Sequence, residues 1–172
     1  MFPEDIVDLA TRVLAAARAR GATIATAESC TGGLLAAALT DIAGSSDVFD
    51  RGFVTYANGA KEALVDVPAS LLATHGAVSE PVVRAMADGA LARSDVDFAV
   101  AITGVAGPGG GSPDKPVGLV WFALATRGGR IETREARFGE VGRGEVRLAS
   151  VRMALQMLAA GASTGTTGGG AP

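Results

Sequence analysis

The 172-residue sequence predicts an α/β fold, a mostly parallel sheet covered by helices on both faces and carrying one antiparallel hairpin. Three observations carry that expectation. Stretches with helical spacing alternate along the chain with short β-branched runs, the pattern of strands joined by crossover helices. Arg127-Gly128-Gly129-Arg130 separates two strand-like runs, and Gly-Gly in that setting closes a tight hairpin. Apolar residues make up 48% of the chain and aromatic residues only 5%, so the core is built of small aliphatic side chains that let helices lie close on a sheet. One domain is expected, because domains run to about 100–200 residues.

Ile6, Val7, Leu9, Val13, Leu14 and Ala17 fall near helical spacing before Gly21, so residues 4–19 open the chain as an amphipathic helix. Residues 22–27 (ATIATA) are a strand, 28–33 (ESCTGG) a tight turn of small residues, and 34–44 a helix. Residues 48–58 read as a second strand, and 61–67 and 68–76 as two short helices, the latter stopped by His75 and Gly76. Ser79 and Pro81 suit the first turn of a helix over 79–95, and 97–103 (DFAVAIT) is a strand of the buried type. The thirteen residues from Gly104 to Pro116 hold too much glycine and proline for either element, and so long a loop in a small domain is functional or disordered. Residues 117–126 and 131–138 are the hairpin strands, and a helix from about 144 to 160 closes the domain. The domain is therefore expected over 1–160, with 161–172 (GASTGTTGGGAP) a mobile tail.

A net charge of −3 argues against nucleic-acid binding, which needs a concentrated basic face. The single cysteine, Cys30, forms no internal disulfide, and with His75 the sole histidine no metal cluster is expected. Three acids in the first eight residues are the opposite of a secretory signal, and no apolar run reaches 18 residues, so a cytoplasmic protein without a membrane span is expected.

In open α/β sheets ligands sit beyond the carboxyl ends of the strands, and there the sequence places ESCTGG, YANGAK and TGVAGPGGG. Ser29, in a strand-to-helix turn, is a candidate nucleophile, with backbone N–H groups around Thr31, Gly32 and Gly33 as candidate oxyanion donors; the competing reading is that Ser29 or Thr31 only caps the helix. A nucleophilic serine needs a proton acceptor. Thirteen of the fifteen basic residues are arginine, leaving only Lys61 and Lys115, and lysine alone of the two types loses its proton when desolvated. Lys61, five residues after Tyr56, is the candidate base; a solvated lysine paired with an acid is the alternative. The chain has no GxSxG elbow, SxxK pair, Walker A or GxGxxG. Lys115, at the end of the glycine loop, and Arg143 and Arg147, near the last helix, are candidate phosphate ligands or ordinary solvated charges.

Taken together, AESCTGG, GFVTYANGAK, HGAVSE and AITGVAGPGGGSPDKPVG, in that order between about residues 5 and 158, closely resemble the CinA C-terminal domain family of nicotinamide-nucleotide amidases. The resemblance implies a three-layer α/β/α domain with a mixed, mostly parallel five-stranded sheet. It implies hydrolysis of the carboxamide of nicotinamide mononucleotide to nicotinate mononucleotide and ammonia, without metal or cofactor. The family's catalytic serine, lysine, tyrosine and threonine fall on Ser29, Lys61, Tyr56 and Thr103, and its pocket-lining segments on Asn58, Gly104, Gly107 and the loop to Lys115. The family's Gly-Asp-Arg before the last helix is matched here by Glu-Val-Gly-Arg, a departure at Arg143. The chain looks like the stand-alone form, and a homodimer is the default for a small enzyme. The rival expectations are a pyridine-nucleotide-binding module without turnover and an amidase for another small amide.

Overall fold

The computed structural model describes residues 1–164. Its elements, in chain order, are α1 (Glu4–Ala19), β1 (Ile24–Glu28), α2 (Leu34–Thr40), β2 (Phe49–Val54), α3 (Asn58–Val65), α4 (Ala69–His75), α5 (Glu80–Ala92), β3 (Phe98–Gly104), β4 (Leu119–Thr126), β5 (Arg130–Arg137) and α6 (Arg143–Thr164), with one 3₁₀ turn at Ser45–Asp47. They form one five-stranded sheet in the order β2-β1-β3-β4-β5. β1 pairs in parallel with both β2 and β3, while β4 is antiparallel to both β3 and β5, so four strands run one way and β4 alone is reversed.

The alternation of side chains along a strand separates two cores. Val100 and Ile102 of β3 and Phe122 and Leu124 of β4 face α1, α2 and α6; Ala99, Ala101, Ala123 and Ala125 face α5. Alanines on that second face let Val82, Val83, Met86, Ala87 and Ala90 of α5 sit directly on the sheet. The result is the expected three-layer α/β/α arrangement with a mixed sheet.

Two boundaries differ from the sequence expectation in ways that matter. β2 stops at Val54 rather than 58: the Thr55 N–H makes the last bond of the β1–β2 ladder, to the Glu28 carbonyl (2.8 Å), and the Ala57 carbonyl already accepts from Ala60 and Lys61, starting α3 three residues early. That shift sets Lys61 in the first turns of a helix over the sheet's rim. At the other end, α6 continues through 161–164, where a mobile tail was expected. Gly161 lies so close to the sheet that a Cβ there would stand 2.7 Å from Leu124 Cδ2, Ala162 is buried, and the Ala162 carbonyl accepts from Arg20 Nη1 at 2.5 Å. Tertiary packing thus carries the helix past a glycine that would end an isolated one. The rest of that tail, 165–172, lies outside the described residues.

Candidate active site

β1 ends at Glu28, and the next residue is held at the centre of the sheet's rim by its own backbone: the Ser29 N–H donates to the Ile102 carbonyl of β3 at 2.9 Å. Thr103, next along β3, is fully buried and donates its hydroxyl to the Ala77 carbonyl at 2.9 Å. Strand pairing therefore places Ser29 and Thr103 side by side at the carboxyl ends of β1 and β3.

From the β2 side, α3 delivers Lys61. Its side chain is 1% exposed and its Nζ lies 3.1 Å from Ser29 Oγ, 2.8 Å from the Thr55 carbonyl oxygen and 3.3 Å from the Tyr56 carbonyl oxygen. Among the described residues no carboxylate pairs with it, which removes the solvated, acid-paired alternative. Burial holds its pKa below the ordinary 10.5, because an ammonium gives up hydration that two carbonyls and a hydroxyl replace only in part. The one opposing influence is the charge of a Cys30 thiolate. Burial raises the Cys30 pKa to about 11, so near neutral pH Cys30 is an uncharged thiol and a poor candidate nucleophile.

The turn between β1 and α2 is organised by a residue that sequence reasoning did not single out. Glu28, 1% exposed, accepts from the N–H groups of Gly33 (3.1 Å), Leu35 (3.0 Å) and Ala36 (2.9 Å), and from the Thr26 hydroxyl at 3.3 Å. It caps α2 from five residues upstream, which α2 requires because Gly33, at φ +94°, brings no capping side chain. The signal lay in the sequence: α2 has neither a capping residue nor an acid in its first turn. Glu28→Ala is expected to cost about 2–4 kcal/mol, since three helix-end donors lose their acceptor, with Glu28→Gln costing less; denaturant midpoints measure both.

This capping corrects the expected oxyanion donors. The Gly33 N–H is taken by Glu28, and the Gly32 N–H donates to the Ser29 carbonyl at 3.0 Å. The N–H of Cys30, apart from its own sulfur, and that of Thr31 have no hydrogen-bond partner among the described residues. Thr31 is itself fully buried, and its Oγ1 is likewise unpartnered.

The remaining expected residues divide. Tyr56 reaches Lys61 through its carbonyl, whereas its ring is 58% exposed and its hydroxyl accepts from Arg143 Nη2 at 2.8 Å; the tyrosine hydroxyl contacts neither Ser29 nor Lys61. Arg143, the first residue of α6, also donates Nη1 to the Gly107 carbonyl (2.9 Å), tying the glycine loop to Tyr56 across the mouth of the site. Arg143 is exposed, and its guanidinium is engaged by both partners. Asn58 opens α3 on the same rim, and Gly104 ends β3 against the Leu119 carbonyl, which a Cβ would approach to 2.7 Å. Lys115 is directed elsewhere: its Nζ donates to the His75 carbonyl at the carboxyl end of α4, where an unpaired helix carbonyl attracts a cation. It borders a cavity of about 320 Å³ shared with Trp121 and Arg137. Arg147 donates Nη2 to the Thr31 carbonyl at 2.8 Å. Among the described residues no three His, Cys, Asp or Glu side chains gather to hold a metal, and no helix is long and apolar enough to cross a membrane.

The fold and site define a three-layer α/β/α domain with a serine at a strand-end turn and a desolvated lysine beside it. The chain belongs to the CinA C-terminal domain family, whose model matches residues 6–161. It is 54% identical to nicotinamide-nucleotide amidohydrolase PncC of Escherichia coli (strain K12) over 159 residues, 92% of this chain and 95% of that protein. A CinA-like protein of Mycobacterium sp. (strain MCS) is 56% identical over 144 residues, 83% of this chain but 34% of that longer protein. The crystal structure of competence/damage inducible protein CihA from Agrobacterium tumefaciens superposes with a TM-score of 0.92 at 56% identity, covering 93% of this chain and 97% of that one.

Proposed function

We propose that this protein is an amidohydrolase that converts nicotinamide mononucleotide to nicotinate mononucleotide and ammonia through an acyl-enzyme on Ser29. The observation that carries the reading is the buried, acid-free Lys61 amine 3.1 Å from Ser29 Oγ. The identity to a protein named for that activity supports the substrate.

A neutral primary amine has two N–H donors and one lone pair. The Thr55 and Tyr56 carbonyls take the donors, so the lone pair is left for the Ser29 hydroxyl proton. Ser29 Oγ attacks the carboxamide carbon as its proton passes to Lys61 Nζ, and the Cys30 and Thr31 N–H groups receive the oxyanion. Collapse breaks the C–N bond, and the ammonium of Lys61 returns the proton to the departing nitrogen, giving ammonia and an ester on Ser29. Water, deprotonated by Lys61, attacks the ester; the second intermediate expels Ser29 Oγ, which takes the proton back. Tyr56, Asn58 and Gly104–Gly107 line the mouth for ring and ribose, Thr103 fixes the Ala77 carbonyl beside it, and Arg143 is the cation placed for the phosphate. Lys115, engaged at α4, is given no part.

Ammonia release from nicotinamide mononucleotide, with free nicotinamide alongside, tests the assignment. Stoichiometric ammonia and nicotinate mononucleotide are expected; binding without ammonia would make the protein a nucleotide-binding module instead. A pH series adds the sign. Lys61 is active when neutral, so kcat/KM rises with pH to a plateau whose midpoint lies below 10.5, and a midpoint at 10.5 or above contradicts a desolvated base. Because the folded state binds fewer protons at Lys61 than the unfolded state between that lowered value and 10.5, folding stability also rises with pH across the window, and Lys61→Met removes that rise.

A further inference from the structure

We propose that Arg147 is a positioning residue for this reaction, aiming the Cys30 N–H at the oxyanion through the backbone of the turn from Ser29 to Gly33; the inference rests on the amidohydrolase reading above. Arg147 lies one turn into α6, and its Nη2 donates to the Thr31 carbonyl at 2.8 Å. In a trans peptide the carbonyl and the N–H point in opposite directions from one rigid plane. Holding the Thr31 carbonyl therefore orients the Gly32 N–H, which donates to the Ser29 carbonyl at 3.0 Å. Holding the Ser29 carbonyl in turn orients the N–H on the far side of its plane, that of Cys30, which is unpartnered apart from its own sulfur. Two peptide planes thus link a charged donor on α6 to the group placed to receive the developing charge, and each hydrogen bond in the chain polarises the next.

The turn is held from within by the Leu34 N–H, which donates to the same Thr31 carbonyl at 3.2 Å, and by Glu28 on the Gly33 N–H, and Arg147 adds a charged donor from outside it. Gly32 and Gly33 stand at φ +59° and +94°, so its backbone is made of residues with many other conformations open to them. Arg147 Nη2 and the Tyr56 ring flank Gly32, 3.9 and 4.0 Å from where a Cβ would be. The contact is also a poor one for stability. Arg147 Nε and Thr31 Oγ1 are buried without a hydrogen-bond partner among the described residues, one orphan on each side of the same tether. Unpaired buried polar atoms oppose folding, and such costs concentrate where function requires a geometry.

The test compares Arg147→Met and Arg147→Lys with the wild-type chain in steady-state ammonia release and thermal midpoint. Misaiming one oxyanion donor is expected to lower kcat of Arg147→Met by about ten- to a hundredfold, less than outright removal of a donor, with KM and thermal midpoint unchanged. Arg147→Lys, which can still donate one N–H to the Thr31 carbonyl, recovers part of the loss. Wild-type kcat in Arg147→Met overturns the proposal. A raised KM with kcat intact overturns it too, making Arg147 a substrate ligand, and a kcat loss that only tracks a lowered thermal midpoint reduces it to a structural contact. A wild-type chain that releases no ammonia overturns the amidohydrolase reading first, a result visible before any variant is made.

Discussion

Ser29→Ala releases no ammonia above background while remaining folded, a loss of about 10⁴-fold or more. The size follows from the mechanism: without Oγ there is no acyl intermediate, and what remains is a bound amide facing unactivated water. The fold tolerates the change because what seats this residue on β3 is its backbone, through the N–H to the Ile102 carbonyl, and not its hydroxyl. Far-ultraviolet circular dichroism and a thermal melt check the second half of the expectation. Residual turnover above a thousandth of wild type would move the nucleophile elsewhere in the turn. Cys30 is the neighbour to examine, although a thiol with a pKa near 11 is a poor substitute.

Lys61→Arg is the second large effect, a loss of about 10³-fold in kcat. Guanidinium keeps the positive charge and the donors for the Thr55 and Tyr56 carbonyls but stays protonated, so it has no lone pair for the Ser29 proton. Charge at the site and basicity are thereby separated. If the larger guanidinium displaces α3, Lys61→Met, of similar length and uncharged, gives the same loss without that strain. Turnover within tenfold of wild type in both variants removes Lys61 from the base role.

Much of this was legible before any coordinates. The switch between helical and strand periods marked the layers, Gly128-Gly129 marked the hairpin, and the motif order marked the family. Ser29 and Lys61 were legible because a serine at a strand-to-helix turn and a rare lysine on the same rim point to chemistry by residue type. Local signals failed where tertiary structure decides. The reversal of β4 against β3 depends on how the Gly104–Pro116 loop returns the chain, which composition does not encode. Glu28 looked like part of a turn, and only the fold carries its carboxylate to the first amides of α2; with those amides taken, the free donors moved from 31–33 to Cys30 and Thr31. Lys115 and Arg143 were both candidate phosphate ligands, Arg143 the weaker for its departure from the family's Gly-Asp-Arg, and the nearest available carbonyls sent Lys115 to α4 and Arg143 to the site's mouth. Tyr56, a candidate by resemblance alone, meets Lys61 through its carbonyl and Arg143 through its hydroxyl, a division that its residue type does not foretell.

The proposed activation of Ser29 by an uncharged Lys61 is tested most directly by the rate at which a serine-directed phosphonate modifies the protein, followed by mass spectrometry across a pH series. Modification confined to the peptide bearing Ser29, rising with pH to a midpoint below 10.5 and lost in Lys61→Arg, is the predicted result. Equal rates in wild type and Lys61→Arg, or modification at another serine, would contradict it.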